Sequence, residues 1–295
     1  MSRNIIFNKT NVVNKNTFRY TLPNMVEFVD GDVLTMAQSK VPFSWFNITK
    51  AYNNNFFQYK WWNMNGDLEN YDVTIDDGYY SIETLNKFVE LKMVEREHYL
   101  RVSESGSFQY FINIKINSTY YATGIRLHSL GPTMNFGSGF VNYDTYYDAP
   151  VNWRLPTSGF ETPSIIIPSN NTFGDLIGFS SGTISGDTSN AISNGEYAFV
   201  SNKSPNMMPS SSAIVTCNLV DNIYSDPNDV LYSFFPTVNY GSDIVQNANL
   251  VWSKIRPGKY KYVELKMYDQ EFRPLQLRDD AVTIILAIDE NNRDK

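Results

Sequence analysis

Residues 112–127 read INIKINSTYYATGIRL, and this stretch decides the fold class. Its isoleucines alternate with polar residues from 112 to 117, which is the two-residue period of a strand with one buried face. After the turn signal Asn117-Ser118 the alternation resumes through Ile125 and Leu127. The stretch therefore predicts a hairpin in an antiparallel β protein that buries one face of each sheet.

Two stretches near the C-terminus extend this pattern. Val263, Leu265 and Met267 face one way, and the two tyrosines within residues 260–262 are out of phase with them, which predicts a β-bulge. Residues 281–288 are apolar on both faces and predict a central strand. Further predicted strands span residues 17–22, 33–41, 56–62, 71–75, 212–220 and 231–235.

Two helices are expected between the strands. Ser81 is a suitable N-cap, and Glu83 lies in the first turn, where the helix dipole favours an acid. The apolar stripe of this helix consists of Ile82, Leu85, Val89 and Met93. A second helix of one to two turns is expected after Thr172.

The chain has 295 residues, of which 42% are hydrophobic and 15% aromatic, enough for a sizeable core. Residues 130–206 are rich in Gly, Ser, Asn, Pro and Thr, so we expect elaborated surface loops there. We find no repeat and no linker that marks a domain boundary. The prediction is an all-β fold, a single jelly-roll sandwich of two antiparallel sheets with one or two short helices in the connections. A sandwich with another strand order stays open.

Charge and segment composition exclude several classes of protein. With 24 Lys and Arg against 31 Asp and Glu the net charge is −7, so no specific nucleic-acid binding is expected. The single cysteine, Cys217, excludes an intrachain disulfide and a cysteine zinc cage. No apolar stretch reaches the roughly 18 residues of a membrane span. The N-terminus lacks the apolar block of a signal peptide, so cytosolic synthesis is expected.

A search for catalytic groups gives little. His98 and His128 are the available imidazoles, neither has a nucleophile motif, and we interpret both as surface residues. The acidic pairs Asp76-Asp77 and Asp279-Asp280 are interpreted as turn signals, because adjacent carboxyls point apart. We therefore predict no catalytic, cofactor-binding or metal-binding residues and no enzyme activity. A calcium loop stays a weaker alternative at Asp221, Asn222, Asp226, Asn228 and Asp229.

Aromatic residues raise the question of sugar binding. Trp45, Trp61 and Trp62 could stack on a sugar, but Trp61 shares a strand face with Phe57 and Tyr59, which favours a core. Cys217 alternates in phase with apolar neighbours and is also expected in the core.

Four stretches carry a resemblance to a known family: IDDGYYSIETLNKF at 75–88, FGDLIGF at 173–179, SAIVTCNLVDNIYS at 212–225, and the ending over 268–288. In this order, over roughly residues 20–288, they resemble the penton, or minor capsid, proteins of virophages and Polinton-like viruses.

The resemblance implies a jelly roll that assembles as a homopentamer and plugs the fivefold vertices of an icosahedral virion. Its implied partners are four sister copies and a major capsid protein with a double jelly roll, and its implied location is the capsid vertex, after synthesis in the host cytoplasm. The expected organisation is an N-terminal arm over residues 1–16, which we expect to run along the capsid interior or a neighbouring subunit, and one jelly-roll domain over 17–295.

Contact surfaces are expected on the loops of such a protein. The candidates are the tyrosines Tyr143, Tyr146 and Tyr147 and the run Asn53-Asn54-Asn55. The family brings no catalytic residues and no cofactor.

Two alternatives belong to other classes. A carbohydrate-binding or attachment module on the same fold requires an exposed aromatic platform. A glycosidase requires two convergent carboxyls whose pKa values differ.

Overall fold

The computed structural model describes residues 2–102, 105–130, 133–135, 140–142, 147–148, 152–154, 156, 161–186, 191–193, 195–247 and 251–290. In these residues the helices are α1 (Ile82–Glu95) and α2 (Phe173–Ile177), and short 3-10 turns span Lys9–Asn11 and Lys50–Tyr52. The strands in chain order are β1 (Ser2–Phe7), β2 (Val12–Asn14), β3 (Thr17–Phe28), β4 (Val33–Pro42), β5 (Phe56–Trp62), β6 (Leu68–Thr74), β7 (Leu100–Val102), β8 (Phe108–Gln109), β9 (Ile112–Asn117), β10 (Ala122–His128), β11 (Thr133–Asn135), β12 (Phe140–Asn142), β13 (Tyr147–Asp148), β14 (Ser164–Ile167), β15 (Gly182–Ser185), β16 (Ala191–Ser193), β17 (Glu196–Val200), β18 (Ala213–Cys217), β19 (Val230–Phe234), β20 (Asp243–Asn247), β21 (Ser253–Lys254), β22 (Gly258–Tyr268) and β23 (Thr283–Asp289).

The contacts divide the chain into two compact units. The jelly-roll unit comprises Met1–Trp45 and Ser210–Lys295, and the inserted unit comprises Phe46–Pro209. In the jelly-roll unit, sheet A has the order β1-β23-β4-β20, with β21 also paired to β4, and sheet B has the order β19-β18-β22-β3-β2. All of these pairings are antiparallel.

The strand order identifies this unit as a jelly roll. Eight strands matter, in chain order β1, β3, β4, β18, β19, β20, β22 and β23. The first pairs with the eighth, the second with the seventh, the third with the sixth and the fourth with the fifth. This nested pairing is the antiparallel jelly-roll arrangement. The predicted fold is confirmed, and the alternative strand order is excluded.

The core of the jelly-roll unit lies between the two sheets. From sheet A, Ile284 and Leu286 of β23 are fully buried, and from sheet B so are Val263 and Leu265 of β22. The rings of Phe7 and Tyr20, one from each sheet, meet at 6.2 Å. The predicted central position of β23 is confirmed, because it pairs with both β1 and β4. The predicted bulge is also present, as a register shift between Tyr260 and Tyr262.

The N-terminal segment differs from the expected arm. Residues 2–7 form β1 and pair with β23 along the whole strand, from Ser2 opposite Asp289 to Phe7 opposite Ile284. The reason is the alternation of Ile5 and Phe7, which are buried, with Ile6, which faces outward. The segment is therefore the first strand of the sandwich.

The inserted unit has its own sheets and its own core. Its sheets are β16-β17-β10-β9, β15-β14-β5-β6, β13-β7-β8 and β11-β12. The predicted hairpin of residues 112–127 is β9 and β10, with Ala122 opposite Asn117. Its core combines α1, α2 and six of these strands, and its largest buried side chains include Tyr59, Trp61, Trp62, Phe111, Trp153 and Phe173.

Helix α1 agrees with the sequence prediction. Ser81 caps it, since its Oγ accepts a hydrogen bond from the Thr84 N–H, and the predicted stripe is buried. The Asn86 side chain accepts a hydrogen bond from the Ile114 N–H at 2.7 Å, which joins α1 to β9. Helix α2 ends at Gly178, whose φ of 77° is left-handed and requires glycine.

The inserted unit differs from the expected single domain with elaborated loops. The reason is that its apolar residues are spread over strands of two to seven residues that meet only in the folded chain. For example, the rings of Phe57 and Phe173 stack at 4.7 Å across a long stretch of sequence. Residues 164–200 contribute β14, α2, β15, β16 and β17 to this unit.

Candidate interaction surfaces

The two histidines are both removed from solvent, to different degrees. His98 is buried, which corrects the predicted surface position: its Nδ1 lies 2.7 Å from the Tyr59 hydroxyl, and its ring stacks on Trp61. Burial, with a smaller contribution from Arg96, lowers the pKa of His98 to about 3. His128 is half-buried, and burial likewise lowers its pKa. Both imidazoles are neutral at pH 7.

The acidic residues hold loops. Asp77 accepts a hydrogen bond from the Lys50 N–H, Asp279 accepts one from the Ala281 N–H, and Asp280 pairs with Lys9 at 3.0 Å. These contacts agree with their interpretation as turn residues.

The proposed calcium loop is held by its own hydrogen bonds. Asn222 accepts from the Tyr224 N–H and donates to the Val230 carbonyl, and Asp221 lies 3.7 Å from Arg256. Among the described residues, no group of three or more His, Cys, Asp or Glu side chains is arranged to hold a metal ion.

The tryptophans considered for sugar stacking are core residues. Trp45, Trp61 and Trp62 are all buried. The Trp45 indole donates to the Ser210 carbonyl, and the Trp62 indole donates to Glu161. None of the three offers a face to a sugar.

The side chains of the asparagine run form hydrogen bonds within the inserted unit. Asn53 donates to the Asn170 carbonyl, Asn55 donates to the Ile75 carbonyl, and Asn54 is buried between Thr49 and Asn47. These hydrogen bonds hold the loop in place, and its role as a contact surface stays a prediction. Of the tyrosines expected beside them, Tyr143 and Tyr146 lie outside the described residues, and Tyr147 begins β13.

Four surfaces of the described residues differ in the apolar and charged side chains that they expose. The first is the outer face of sheet A, where Ile6 is 50% exposed, Val245 is 52% exposed, and Ile285 lies directly opposite Ile6. The sequence indicates the apolar outward positions of β23, because residues 281–288 are apolar on both faces.

The second surface is the outer face of sheet B, and it is charged. The Arg19 guanidinium donates to Glu264 at 2.9 Å and lies over the Tyr262 ring, and Lys266 pairs with Glu264 at 3.4 Å. Burial raises the pKa of Glu264, but the hydrogen bonds from Arg19 and Lys266 outweigh it, so the net pKa is lowered.

The third surface is the end of the jelly-roll unit at which β4 begins. Three loops meet there, since the Ile255 N–H donates to the Asp32 carbonyl and the Asp221 N–H donates to the Lys254 carbonyl. Their exposed apolar side chains are Val29, Ile223, Tyr224, Val251 and Trp252.

The fourth surface is the tip of the β9–β10 hairpin in the inserted unit. Ile116, Tyr120 and Tyr121 are exposed there, the two tyrosines by 73% and 74%. Tyr121 has a φ of 48°, a left-handed conformation that is rare for an aromatic residue. The hairpin alternation identified the strands but not this tip, because exposure depends on where the core ends.

Charge is distributed unequally between the units. The inserted unit has ten Lys and Arg against sixteen Asp and Glu, a net charge of −6, which leaves −1 for the jelly-roll unit. In the described residues, no helix is long and apolar enough to cross a membrane.

Comparison with known proteins gives similarity in structure alone. No family model matches the chain, and no curated protein matches it. The structure is similar to that of the mavirus penton protein, with 10% sequence identity over 98% of this chain and 96% of that one, at a TM-score of 0.47. It is also similar to a chain of the Sputnik virophage, with 11% identity over 100% of this chain and 99% of that one, at a TM-score of 0.40.

Proposed function

We propose that this chain is a structural capsid protein that forms homopentamers and plugs the fivefold vertices of an icosahedral virion. The nested strand order of the jelly-roll unit carries the proposal, because it makes a closed two-sheet sandwich from both ends of the chain. The resemblance of the four sequence stretches to virophage and Polinton-like penton proteins supports it.

Ring formation makes specific demands on such a subunit. Each copy contacts two neighbours through two different surfaces, and five copies close the ring. A sandwich whose two sheets share one core is stiff enough to keep the two surfaces at a fixed angle. The periphery of the ring meets a major capsid protein with a double jelly roll. The virion vertex is then the location, after synthesis in the host cytoplasm, and neither a cofactor nor an enzyme activity is required.

Electron microscopy of the purified chain tests this proposal. Class averages of negatively stained particles are expected to have fivefold symmetry. Co-expression with a double jelly-roll capsid protein is expected to place the chain at the vertices of shells. Particles with another symmetry, together with shells that exclude the chain, would contradict the proposal.

A carbohydrate-binding or attachment module is the second candidate, and the exposed pair Tyr120 and Tyr121 favours it. Tyrosine faces can stack on sugars, and a hairpin tip can reach a receptor. A glycan array tests it. Binding that Tyr120→Ala abolishes and Tyr224→Ala leaves intact is the supporting result, since Tyr224 is even more exposed, at 93%, but lies on the jelly-roll unit. No binding to any glycan removes this candidate.

A further inference from the structure

Sheet B ends on one side in a strand whose outer edge is open. β19 is the terminal strand of the order β19-β18-β22-β3-β2. Every non-proline residue of a strand carries one N–H donor and one C=O acceptor, and only those that point toward β18 are used by this pairing. Among the described residues, the backbone of residues 232–235 pairs with β18 alone. The outer side of this stretch, which we call the β19 edge, therefore presents free donors and acceptors.

The other long edge strands of the molecule carry charges. In the described sheets, the terminal strands of five or more residues are β1, β6, β9, β19 and β20. The charged residues of four of them are Arg3 in β1, Glu69 and Asp72 in β6, Lys115 in β9 and Asp243 in β20. Charge on an edge strand opposes pairing with another chain. β19, with the sequence VLYSF, is the uncharged strand of the five.

Other open stretches are protected by different means. The part of β3 that extends beyond its pairing with β2 contains Pro23 and Glu27, and proline cannot donate to a ladder. On β9, the Ile114 N–H donates to the Asn86 side chain at 2.7 Å. Each of these stretches is therefore less able than the β19 edge to pair with a further strand.

The protection of β19 is confined to its first two residues. The Asn222 amide donates to the Val230 carbonyl at 3.4 Å, and the register with β18 shifts at Leu231. From Tyr232 to Phe234 the pairing with β18 is regular. The β19 edge is thus a straight strand segment without a charge or a bulge.

Side chains along the β19 edge leave apolar surface that a further strand would cover. Phe235 is 64% exposed, and Tyr232 is half-buried with its ring 6.5 Å from that of buried Phe234. Tyr232 and Phe234 share a face because they are two residues apart, and Ser233 between them is exposed and uncharged. Cross-strand neighbours on an added strand would pack against Tyr232 on one face and Phe235 on the other.

The chemistry of the edge identifies its occupant as an extended, uncharged segment. Free N–H and C=O groups in a row are satisfied by another strand, and apolar flanking side chains favour apolar or threonine side chains on it. A second copy of this chain fits poorly. Its own β19 would pair about a twofold axis, which does not close a ring of five, and its other long edges carry the charges named above. Each copy also has a net charge of −7, so copies repel.

We propose that the β19 edge accepts an extended, uncharged segment of a different protein, which adds to sheet B as a sixth strand. Main-chain hydrogen bonds hold the segment, and Tyr232 and Phe235 select its side chains. The proposal does not require the pentamer, because the edge is complete within one chain.

A tethered peptide tests this proposal at a defined place. Cys217 is fully buried and burial raises its pKa to about 12, so Thr237→Cys, at an exposed position, introduces the sole reactive thiol of the folded chain. A peptide TVTVT with blocked termini is attached there through a flexible Gly/Ser linker, which gives it a high effective concentration at the edge. Hydrogen exchange then measures the amides of residues 232–235. We expect the fastest of them to exchange on the order of tenfold more slowly when the peptide is attached.

Two controls use the same side chains. The TVTVT peptide with alternate amides methylated cannot complete the ladder, and we expect it to leave the exchange of residues 232–235 unchanged. The unmodified peptide attached through Ser118→Cys, beside the charged edge of β9, is expected to leave the exchange of residues 112–117 unchanged.

A charge variant tests the edge itself. Ser233→Lys, combined with Thr237→Cys, gives the β19 edge the charge that the other long edges have, and we expect it to abolish the slowing by the peptide. Ser233→Thr in the same background is expected to retain it. Circular dichroism with a thermal melt verifies that both variants are folded.

The outcomes separate this proposal from the pentamer. No slowing by the unmodified peptide, or equal slowing by the methylated one, would overturn the proposal. Amides 232–235 that are protected without any peptide, and become exposed on dilution, would place a second copy on the edge and would also overturn it. The mass of the chain in light scattering tests the pentamer independently of these results.

Discussion

His98 lies among aromatic side chains in the inserted unit, and its neutral form is part of the core. The Tyr59 hydroxyl pairs with its Nδ1, and the rings of Trp61 and Tyr71 contact it. Protonation would place a charge where water is excluded and the Arg96 cation lies nearby, which is why its pKa is about 3. Stability of the inserted unit is therefore linked to pH.

The sign of this linkage gives the first prediction. The pKa of His98 is lowered on folding, so the folded state favours the neutral form, and stability is lost as pH falls below the unfolded value of about 6.5. From pH 7 to pH 4 we expect a loss of about 3 kcal/mol from this residue. His98→Gln removes that part of the pH dependence. Urea unfolding, followed by tryptophan fluorescence at pH 7, 5.5 and 4, measures it.

A comparison between the variant and the wild type isolates His98 from the carboxylates that also titrate in this range. His98→Gln lowers stability at pH 7 by removing the hydrogen bond to Tyr59, so only the change with pH is informative. The same pH dependence in both proteins would mean that the imidazole is solvated.

Helix α1 is stabilised by the hydrogen bonds at its N-terminus. The Ser81 hydroxyl accepts from the Thr84 N–H, and the Thr84 hydroxyl accepts from the Ser81 N–H, so two unpaired amides of the first turn are satisfied. Ser81→Ala is expected to lower the free energy of unfolding by about 1 kcal/mol. Chemical denaturation of both proteins measures it.

The control for this prediction is Ser211→Ala. Ser211 is exposed, and its backbone N–H, not its hydroxyl, is bonded, to Gln270. We expect a change within about 0.5 kcal/mol for the control. An equal loss in both variants would show that the cap contributes nothing specific.

Local patterns predicted the elements well because they depend on neighbouring residues. The cap and stripe of α1, the hairpin of residues 112–127 and the phase slip before Val263 all follow from spacing. Spacing does not predict the inserted unit as a separate compact unit, because contacts such as that of Phe57 with Phe173 join positions far apart in the sequence. The charged sequence neighbours of His98 predict a surface position, whereas its neighbours in space are aromatic.

The candidate surfaces were predictable only in part. The apolar outer positions of β23 were visible in the sequence and were correctly interpreted as those of a central strand. Whether such a face is covered depends on the number of layers in the fold, which spacing does not encode. Spacing also does not encode the hydrogen bonds of the asparagine run, where Asn54 is held by Thr49 and Asn47 in the folded loop.

At the scale of the molecule, the jelly roll is built from both ends of the chain and is interrupted between β4 and β18. The two sides of the interruption are close, because the Trp45 indole donates to the Ser210 carbonyl at 3.2 Å. All eight strands of the nested pairing lie outside residues 46–209. The jelly-roll unit therefore has a complete strand set without the insert.

We predict that the jelly-roll unit folds when residues 46–209 are removed. A chain in which a short Gly/Ser linker joins Trp45 to Ser210 is expected to fold with a cooperative thermal transition and a β-type circular dichroism spectrum. A non-cooperative melt, with exchange-broadened signals in an amide NMR spectrum, would show that the jelly roll depends on residues 46–209.

The proposed pentamer requires one copy of this chain to close a ring with four others. Light scattering of the purified chain, over a range of concentration and ionic strength, tests it most directly. A pentamer has a mass of about five times 33.8 kDa, and this is the mass we expect. Because each copy has a net charge of −7 and salt screens the repulsion between copies, the fraction of oligomer is expected to rise with salt. A mass of 33.8 kDa at every concentration and every ionic strength would contradict the proposed pentamer.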